Sequence, residues 1–406
     1  MVSELDGQSG GSRDQRILGD IKVLELSEGI PGAVCGKLLA GLGADVIKVE
    51  PPSGERGRMV GPFAGDQPHP EKSGTFLYLN MSKRGVTLDL AVDEGRDLLR
   101  RLAGRADVVV ENFRPGTLAG WGLDYAAISE LYPRLIVASI TPFGQDGPYR
   151  DYLIDEIVAE ALGGLMYFIG LPEREPLKIG GNPALHNAGI AAFSAIMAAI
   201  WQRDGTGEGQ HIDVSIMEAT AMSQIHASIE ATWQGTNMQR RASVLLPTSD
   251  GWASVGMEMG VSADTWPRFC ALIGRPDLTD DERFATSAVR RDNRDALQEL
   301  VSKWVSTRPK MQVYHELQRL RSIAGYVATA PDLHQSEQLR QRGFFQEIDH
   351  PVVGTASYPG APFKVGDAVW VQRPAPLLGE HNEEVFREEL GLDPGALLWL
   401  RERGVI

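Results

Sequence analysis

The sequence predicts an α/β protein: a large domain built around a parallel sheet, joined to a smaller, helix-rich α+β domain. Three observations carry this expectation. Short β-branched runs alternate with stretches of helical spacing through the first third of the chain. From about residue 225 the pattern turns helical and more charged, and from about 340 short strand signals return. Alternation of strand and helix implies parallel strands with helices packed on the faces. A chain of 406 residues also exceeds what one compact core usually accommodates, which favours two domains.

Taken in order, residues 1–16 (MVSELDGQSGGSRDQR) have no apolar core and read as a disordered tail rather than a signal peptide. The large domain is expected over 17–224. Its strands are IKVLEL (21–26), DVIKVE (45–50), VTLDL (86–90), DVVVEN (107–112) and LIVASI (135–140). PGAVCGKLLAGLG (31–43), DEGRDLLRRLAG (93–104) and YAAISELY (125–132) supply the helices between them. Residues 188–204 predict a buried helix whose apolar run, 188–201, is too short to cross a bilayer. GTGEGQ (205–210) is a turn, and HIDVSIMEA (211–219) is a strand running into a helix. The small domain is expected over 225–335, with helices in DERFATSAVRRDNRDALQELVSKWV. The last segment, 336–406, carries strand signals (ASYPGAPFKV) and a helix around EHNEEVFREELG, and is expected to pack back on the large domain.

A net charge of −14 argues against nucleic acid as the main partner, because phosphate backbones need clustered Lys and Arg. A local basic patch can still hold an anionic small molecule. Two cysteines, Cys35 and Cys270, without any Cys/His cluster, suggest no metal site and fit a reducing cytoplasm. GQSGG (7–11) matches a nucleophile-elbow pattern but lacks the strand before it and the helix after it. Gly36-Lys37 is followed by Leu, so there is no phosphate-cradling P-loop, and no GxGxxG or HExxH is present.

Ligands of parallel α/β sheets bind beyond the carboxyl ends of the strands. The loops after Leu26, Glu50, Leu90, Asn112 and Ile140 are therefore the places to look. Asn80, Lys83 and Arg84 lie in YLNMSKRGVTLDL, Arg56 and Arg58 in PPSGERGR, and Asn112, Phe113 and Arg114 in ENFRPG. Each alone reads as a solvated loop residue. Together they are expected to converge on one edge, where cations would meet phosphates and Phe113 would stack on a planar ring.

A second stretch poses a question. GGNPALHNAG (180–189) leads from a charged loop into a long apolar helix, a common setting for a catalytic group, yet no Asp, Glu, Cys or Lys occurs between Lys178 and Asp204.

The stretches VLELSEGIPGAVCGKLLAGLGADVIKVEPPSGE (23–55), YLNMSKRGVTLDL (78–90), DVVVENFRPGTLAGWGLDY (107–125), ITPFGQDGPY (140–149), ALGGLMYFIG (161–170), GTGEGQHIDVSIMEA (205–219) and LGEHNEEVF (378–386) resemble, in family order, the class III (CaiB/BaiF-type) CoA-transferases. The resemblance implies a Rossmann-like large domain completed by the C-terminal segment, a small domain between, and an interlocked dimer. It implies coenzyme A, as an acyl-CoA thioester, as the substrate rather than a permanently bound cofactor, with a carboxylic acid as the other reactant. The residues expected at the CoA are Gly29, Ile30, Lys83, Arg84, Asn112, Phe113 and Arg114, with no metal. In the family an Asp carboxylate attacks the thioester, gives a mixed anhydride and then an enzyme thioester, and the acceptor acid completes the exchange, dividing one difficult transfer into easier steps.

The position of that Asp falls on Leu185, flanked by Ala184 and His186, none of which is a carboxylate. The racemases of the family pair the same Asp with a His about 30 residues earlier, and Asp155 stands there instead. Gly29-Ile30-Pro31-Gly32 departs from the family's usual residues, and an Arg that some members place after ENF-x-PG falls near Gly120, where Arg114 could cover a similar charge. Glu156 is the fallback nucleophile; its bland reading is a helix cap, since acidic residues favour a helix's first turn. His186 could act as a base but reads more simply as structural, and His381 as a local hydrogen-bonding residue. The leading expectation is the non-catalytic subunit of a heteromer that resembles the Asp-lacking half of enzymes such as benzylsuccinyl-CoA transferase, partnered by an Asp-bearing paralogue. The alternatives are a self-sufficient transferase using Glu156 and a CoA-ester-binding homodimer without turnover. No nucleic-acid or membrane partner is expected.

Overall fold

The computed structural model describes residues 16–240, 245–256 and 265–406; the tail expected over 1–16, with its GQSGG match, lies outside the described residues apart from Arg16. Six strands form a parallel sheet: β1 (Lys22–Glu25), β2 (Asp45–Glu50), β3 (Arg84–Thr87), β4 (Val108–Glu111), β5 (Ile136–Thr141) and β6 (His211–Ser215). Their order is β3-β2-β1-β4-β5-β6, and every neighbouring pair is parallel. This is the doubly wound arrangement, and its order reverses between β1 and β4.

The helices that follow are α1 (Ile30–Gly41), α2 (Gly74–Leu79), α3 (Asp93–Ala103), α4 (Thr117–Gly120), α5 (Tyr125–Leu131), α6 (Glu156–Leu162), α7 (Pro183–Thr206), α8 (Ile216–Ala221) and α9 (Ile225–Gln234). Successive strand side chains point to opposite faces, so the sheet is covered twice. On one face Val23, Val46, Val108, Ile136 and Ala138 meet Cys35 and Leu39 of α1 and Ala188, Ala192 and Ile196 of α7. On the other, Leu24, Val109 and Val137 meet Leu98 and Leu102 of α3 and Ile128 of α5. Burial on both faces is why these strands read as near-continuous β-branched runs rather than alternating ones.

Helix α7 runs for 24 residues, longer than the 188–204 expected, and by length and composition alone it could cross a bilayer. Its buried Ala184, Ala188, Ala192 and Ile196 place it instead in the sheet's core. Gly189 makes that packing possible: a Cβ there would stand 2.4 Å from the Pro31 carbonyl oxygen and 2.8 Å from Val34 Cβ on α1. Small residues let two helix backbones approach where a larger side chain would force them apart.

The chain divides into two units, one holding 16–170, 175–240 and 343–406, the other 171–174 and the described residues of 241–342. Helix α9, assigned from sequence to the small domain, falls in the first unit. The second unit has an antiparallel sheet of β7 (Leu245–Thr248), β8 (Gly251–Val255) and β9 (Ala324–Tyr326). Around it stand α10 (Thr265–Leu272), α11 (Ser287–Asp292), α12 (Arg294–Val305), α13 (Lys310–Arg319), α14 (Ala330–Gln335) and α15 (Glu337–Gln341). Its core includes Phe269, Phe284, Leu297, Val301, Val313 and Leu317.

In the first unit the C-terminal segment adds an antiparallel pair, β10 (Phe345–His350) and β11 (Gly354–Pro359), a π-helical turn at Glu383–Glu389 and α16 (Pro394–Glu402). Val385, Phe386, Leu397 and Leu400 join the second face of the large sheet. Asn382 bonds β3 twice, accepting from the Thr87 amide at 2.9 Å and donating to Thr87 Oγ1 at 2.8 Å. His381 accepts from the Gly85 amide at 3.1 Å, a local anchoring role.

Candidate active site

The strand order reverses between β1 and β4, so their loops flank the crevice where doubly wound sheets hold ligands. Asn112 ties the two loops together: its Oδ1 accepts from the Glu28 amide at 2.9 Å and its Nδ2 donates to the Glu28 carbonyl at 2.6 Å. Gly29 opens α1 at φ +70°, a conformation that favours glycine, and donates its N–H to Glu55 at 2.7 Å. Ile30 begins the helix and packs half-buried beside Val34 and Leu79. Phe113 lies edge-on to Trp121, with ring centroids 5.2 Å apart.

Below this edge lies a buried charge cluster that sequence reasoning did not identify. Lys48 pairs with Glu25 at 3.1 Å and Glu55 at 3.2 Å, and Lys83 pairs with Glu25 at 2.7 Å. Burial pushes the Glu25 carboxyl up, but Lys83 and Lys48 win and hold it below its ordinary range. Such a cluster is held by mutual pairing, because an unpaired buried charge would be strongly destabilising.

The cations expected to meet phosphates therefore separate into two groups. Lys83 is committed: besides Glu25, it donates to Asn80 Oδ1 at 2.9 Å and to the Ala33 carbonyl at 3.1 Å. Arg84 turns to Asp45 at the start of β2, at 2.6 Å, and to Glu384 and Glu389 of the C-terminal segment, so it fastens that segment instead of facing the crevice. Arg58 is buried against Glu50 and Glu71 at 2.6 and 2.7 Å. Lys83 stands just before β3 and Arg84 is its first residue, and these pairings occupy both side chains. Arg56, whose side chain is 94% exposed, makes only a long 4.0 Å contact with Glu28 among the described residues, and Arg114 is exposed at the same edge.

At the start of α7 the chemistry is that of a cap. The Glu156 carboxylate accepts the Ala184 amide at 2.8 Å and the Leu185 amide at 3.0 Å, so both its oxygens serve the first turn of α7. Burial, with Glu160 beside it, keeps Glu156 above its ordinary pKa against the pull of these amides. Asp155 accepts the Val158 amide at 3.1 Å and caps α6. Leu185 packs half-buried against the apolar core of α1 and α7.

Lys37, the single charge in the apolar α1, is the further residue missed. It is 8% exposed, and its Nζ lies 2.9 Å from the centroid of the Tyr78 ring. No carboxylate pairs with it among the described residues. Burial, and then the charge of Lys83, bring its pKa down to about 7. His186, one residue past Leu185, is lowered by burial and by Lys37. The sequence signal was present, a lysine inside PGAVCGKLLAGLG, but its burial depended on the packing of α1 between α2 and α7.

Comparison with known proteins accords with this architecture. The sequence matches CoA-transferase family III over residues 18–382. It is 32% identical to the formyl-CoA:oxalate CoA-transferase of Streptomyces avermitilis, across 96% of this chain and 100% of that one. It is 33% identical to the succinyl-CoA:(R)-benzylsuccinate CoA-transferase subunit BbsE of Thauera aromatica, across 88% and 90%. A crystal structure of a CaiB/BaiF family protein from Brucella suis superposes with a TM-score of 0.83 at 33% identity, covering 92% of this chain and 99% of that one. With a family match spanning most of its length and relatives of this identity along nearly its whole extent, the chain belongs to CoA-transferase family III.

Proposed function

We propose that this chain is the non-catalytic subunit of a heteromeric CoA-transferase that moves CoA between an acyl-CoA thioester and a carboxylic acid, acting in the cytoplasm with a related subunit that supplies the nucleophile. One observation carries the reading: at the position expected for the nucleophile, at the start of α7, stand Ala184, Leu185 and His186, none of them a carboxylate. Leu185 has no nucleophilic atom, and both oxygens of Glu156 already accept helix amides. Attack by Glu156 on a thioester would uncap α7 in the same step, which counts against a self-sufficient enzyme using that residue. The relative from Thauera aromatica is named as one subunit of a transferase, which supports a heteromeric assembly.

In this reading the chain binds and positions rather than bonds covalently. Gly29, Ile30, Asn112 and Phe113 form the crevice wall for CoA, with Arg114 and Arg56 as the cations for its phosphates. The partner's carboxylate would attack the thioester carbonyl and expel CoA thiolate. The thiolate would attack the enzyme carbonyl of the resulting anhydride, releasing the first acid and leaving an enzyme thioester. The second acid would attack that thioester and expel the thiolate, which would then attack the second acid's carbonyl, giving the new acyl-CoA and freeing the carboxylate. An interlocked dimer would bring the two chains' surfaces together around this chemistry.

The test is CoA exchange by the purified chain with succinyl-CoA and a panel of carboxylic acids, with hydroxylamine trapping of any acyl-enzyme and mass spectrometry of the product. The chain alone is expected to give no turnover and no hydroxamate. Adding an Asp-bearing paralogue is expected to give both, with the hydroxamate on the paralogue. A hydroxamate on Glu156, or on any residue of this chain, would overturn the reading.

A further inference from the structure

A polar cavity lies on the face of the large sheet opposite α7. The connection from β5 to β6 runs through α6 and α7 on the first face, where Ala159 and Ala188 are buried, and β6 is the edge strand. The second face is thus open over β5 and β6, and a cavity of about 350 Å³ occupies it. Its floor is Val137 and Ser139 of β5 with His211 of β6; its walls come from the loops around Arg114–Ala119 and Gln145–Arg150.

The groups inside are unevenly satisfied. Ser139 Oγ lies 2.9 Å from His211 Nε2 and also bonds Glu111, whose carboxylate accepts the Phe113 amide at 2.7 Å. The His211 ring stacks on Tyr125, with centroids 5.6 Å apart and planes 15° apart. Of the two acids lining the cavity, Glu111 is thus engaged within the protein, and Asp124 lies beside the His211 ring. The guanidinium of Arg150 is not: its Nε is buried without a hydrogen-bond partner among the described residues. Arg114 stands at the same cavity, also without a carboxylate partner among them. Arg58, Arg84 and Arg203, by contrast, each hold carboxylates at short range. Buried polar groups are nearly always satisfied, so an orphaned guanidinium N–H facing a cavity marks a place for an acceptor.

We propose that this cavity binds a small free carboxylate, apart from the CoA thioester, through Arg150. A planar guanidinium matches a carboxylate in geometry and charge, and the volume suits a short mono- or dicarboxylate but not a whole acyl-CoA. The choice of a carboxylate over other oxyanions rests on the acid-exchanging function proposed above. The cavity would then hold an acid reactant or product within one chain, beside the loop that carries Asn112 and Phe113.

The experiment is isothermal titration calorimetry of the purified chain with acetate, succinate and glutarate, and separately with CoA and inorganic phosphate. Two variants are compared with the wild type: Arg150→Gln, which removes the charge, and Ala119→Phe, which fills the cavity from its exposed wall. The wild type is expected to bind at least one of the acids. Arg150→Gln is expected to weaken that binding about ten-fold or more, and Ala119→Phe to abolish it, with melting temperature and CoA affinity unchanged. Three results would overturn the proposal: no acid bound by the wild type, acid binding indifferent to both variants, or CoA or phosphate affinity falling in parallel with acid affinity. The last would assign the cavity to the phosphates of CoA. Intact CoA binding with unaltered acid binding would remove this site while leaving the proposed subunit function standing.

Discussion

A lysine only 8% exposed, with an aromatic ring but no carboxylate beside it among the described residues, is a destabilising choice unless it serves the site. For Lys37 the penalty has a definite pH signature. Its pKa is about 7 in the folded chain against an ordinary 10.5, so between these values the unfolded chain binds the extra proton. Stability contributed at this position therefore rises with pH from about 7 to 10.5. The full penalty is present below 7, where folding must bury the charge. Lys37→Met removes it. The variant is expected to be more stable than the wild type by on the order of 3 kcal/mol at pH 7, with the difference shrinking toward pH 10. Urea unfolding of both proteins across this range checks it, and a constant difference would mean that the lysine finds a compensating anion. The same residue shows where sequence reading stops. Lys83 and Arg84 were legible as cations near a strand, but their pairing with Glu25, Asp45 and Glu384 depends on contacts between residues up to 300 positions apart. The composition of a loop does not reveal which of its charges are already spent.

At the scale of the element, α7 joins three features that no local pattern links: Gly189 against α1, Leu185 in the core, and a cap supplied from α6, 28 residues away from Ala184 in sequence. Its existence was legible, because an apolar run bounded by Asn182-Pro183 and Gly207 is a strong helix signal. Its first turn was not, because GGNPAL reads as loop until Glu156 is seen to accept two of its amides. Asn182, the residue at the cap position, makes no side-chain cap bond. Glu156 therefore does the work a local cap would do, and the consequence is measurable. Glu156→Ala is expected to cost about 1–3 kcal/mol of stability, and Glu156→Gln less, since an amide oxygen can still accept one N–H. Amide hydrogen exchange at Ala184 and Leu185 should accelerate in the alanine variant before exchange in the middle of α7 does. Equal stability in all three proteins would mean that the carboxylate is dispensable to the helix and free for chemistry. The six strands of the large sheet were legible for a simpler reason: a strand buried on both faces needs apolar residues at nearly every position, and such runs stand out in any sequence.

At the scale of the whole molecule, the first unit carries more exposed apolar surface than a chain working alone should. Trp201 is 85% exposed on α7 and Trp233 is 81% exposed on α9, with Leu153, Ile190, Met222 and Ile225 exposed as well. Single exposed hydrophobics are ordinary, but two tryptophans and four large aliphatics on consecutive stretches from 153 to 233 are characteristic of a surface that another protein covers. Sequence reading anticipated the sheet and the helices but not this surface. Periodicity showed α7 as apolar all round, and an apolar residue facing outward is indistinguishable in sequence from one facing the core. The interlocked assembly proposed for this family member gives the surface an occupant, a second chain of the same fold. Trp and other large aromatics dominate the energetics of such contacts, and replacing one by a charge both removes its burial and places an unpaired charge in the interface. Trp201→Glu and Trp233→Glu are each expected to weaken association by about ten-fold or more while leaving the circular dichroism of the chain unchanged. Sedimentation velocity over a concentration series, with the chain alone and with its Asp-bearing paralogue, reads this directly. If both variants associate as the wild type does, the covering chain seats elsewhere. If the wild type alone is a monomer that associates only with the paralogue, the surface is reserved for the subunit that carries the nucleophile.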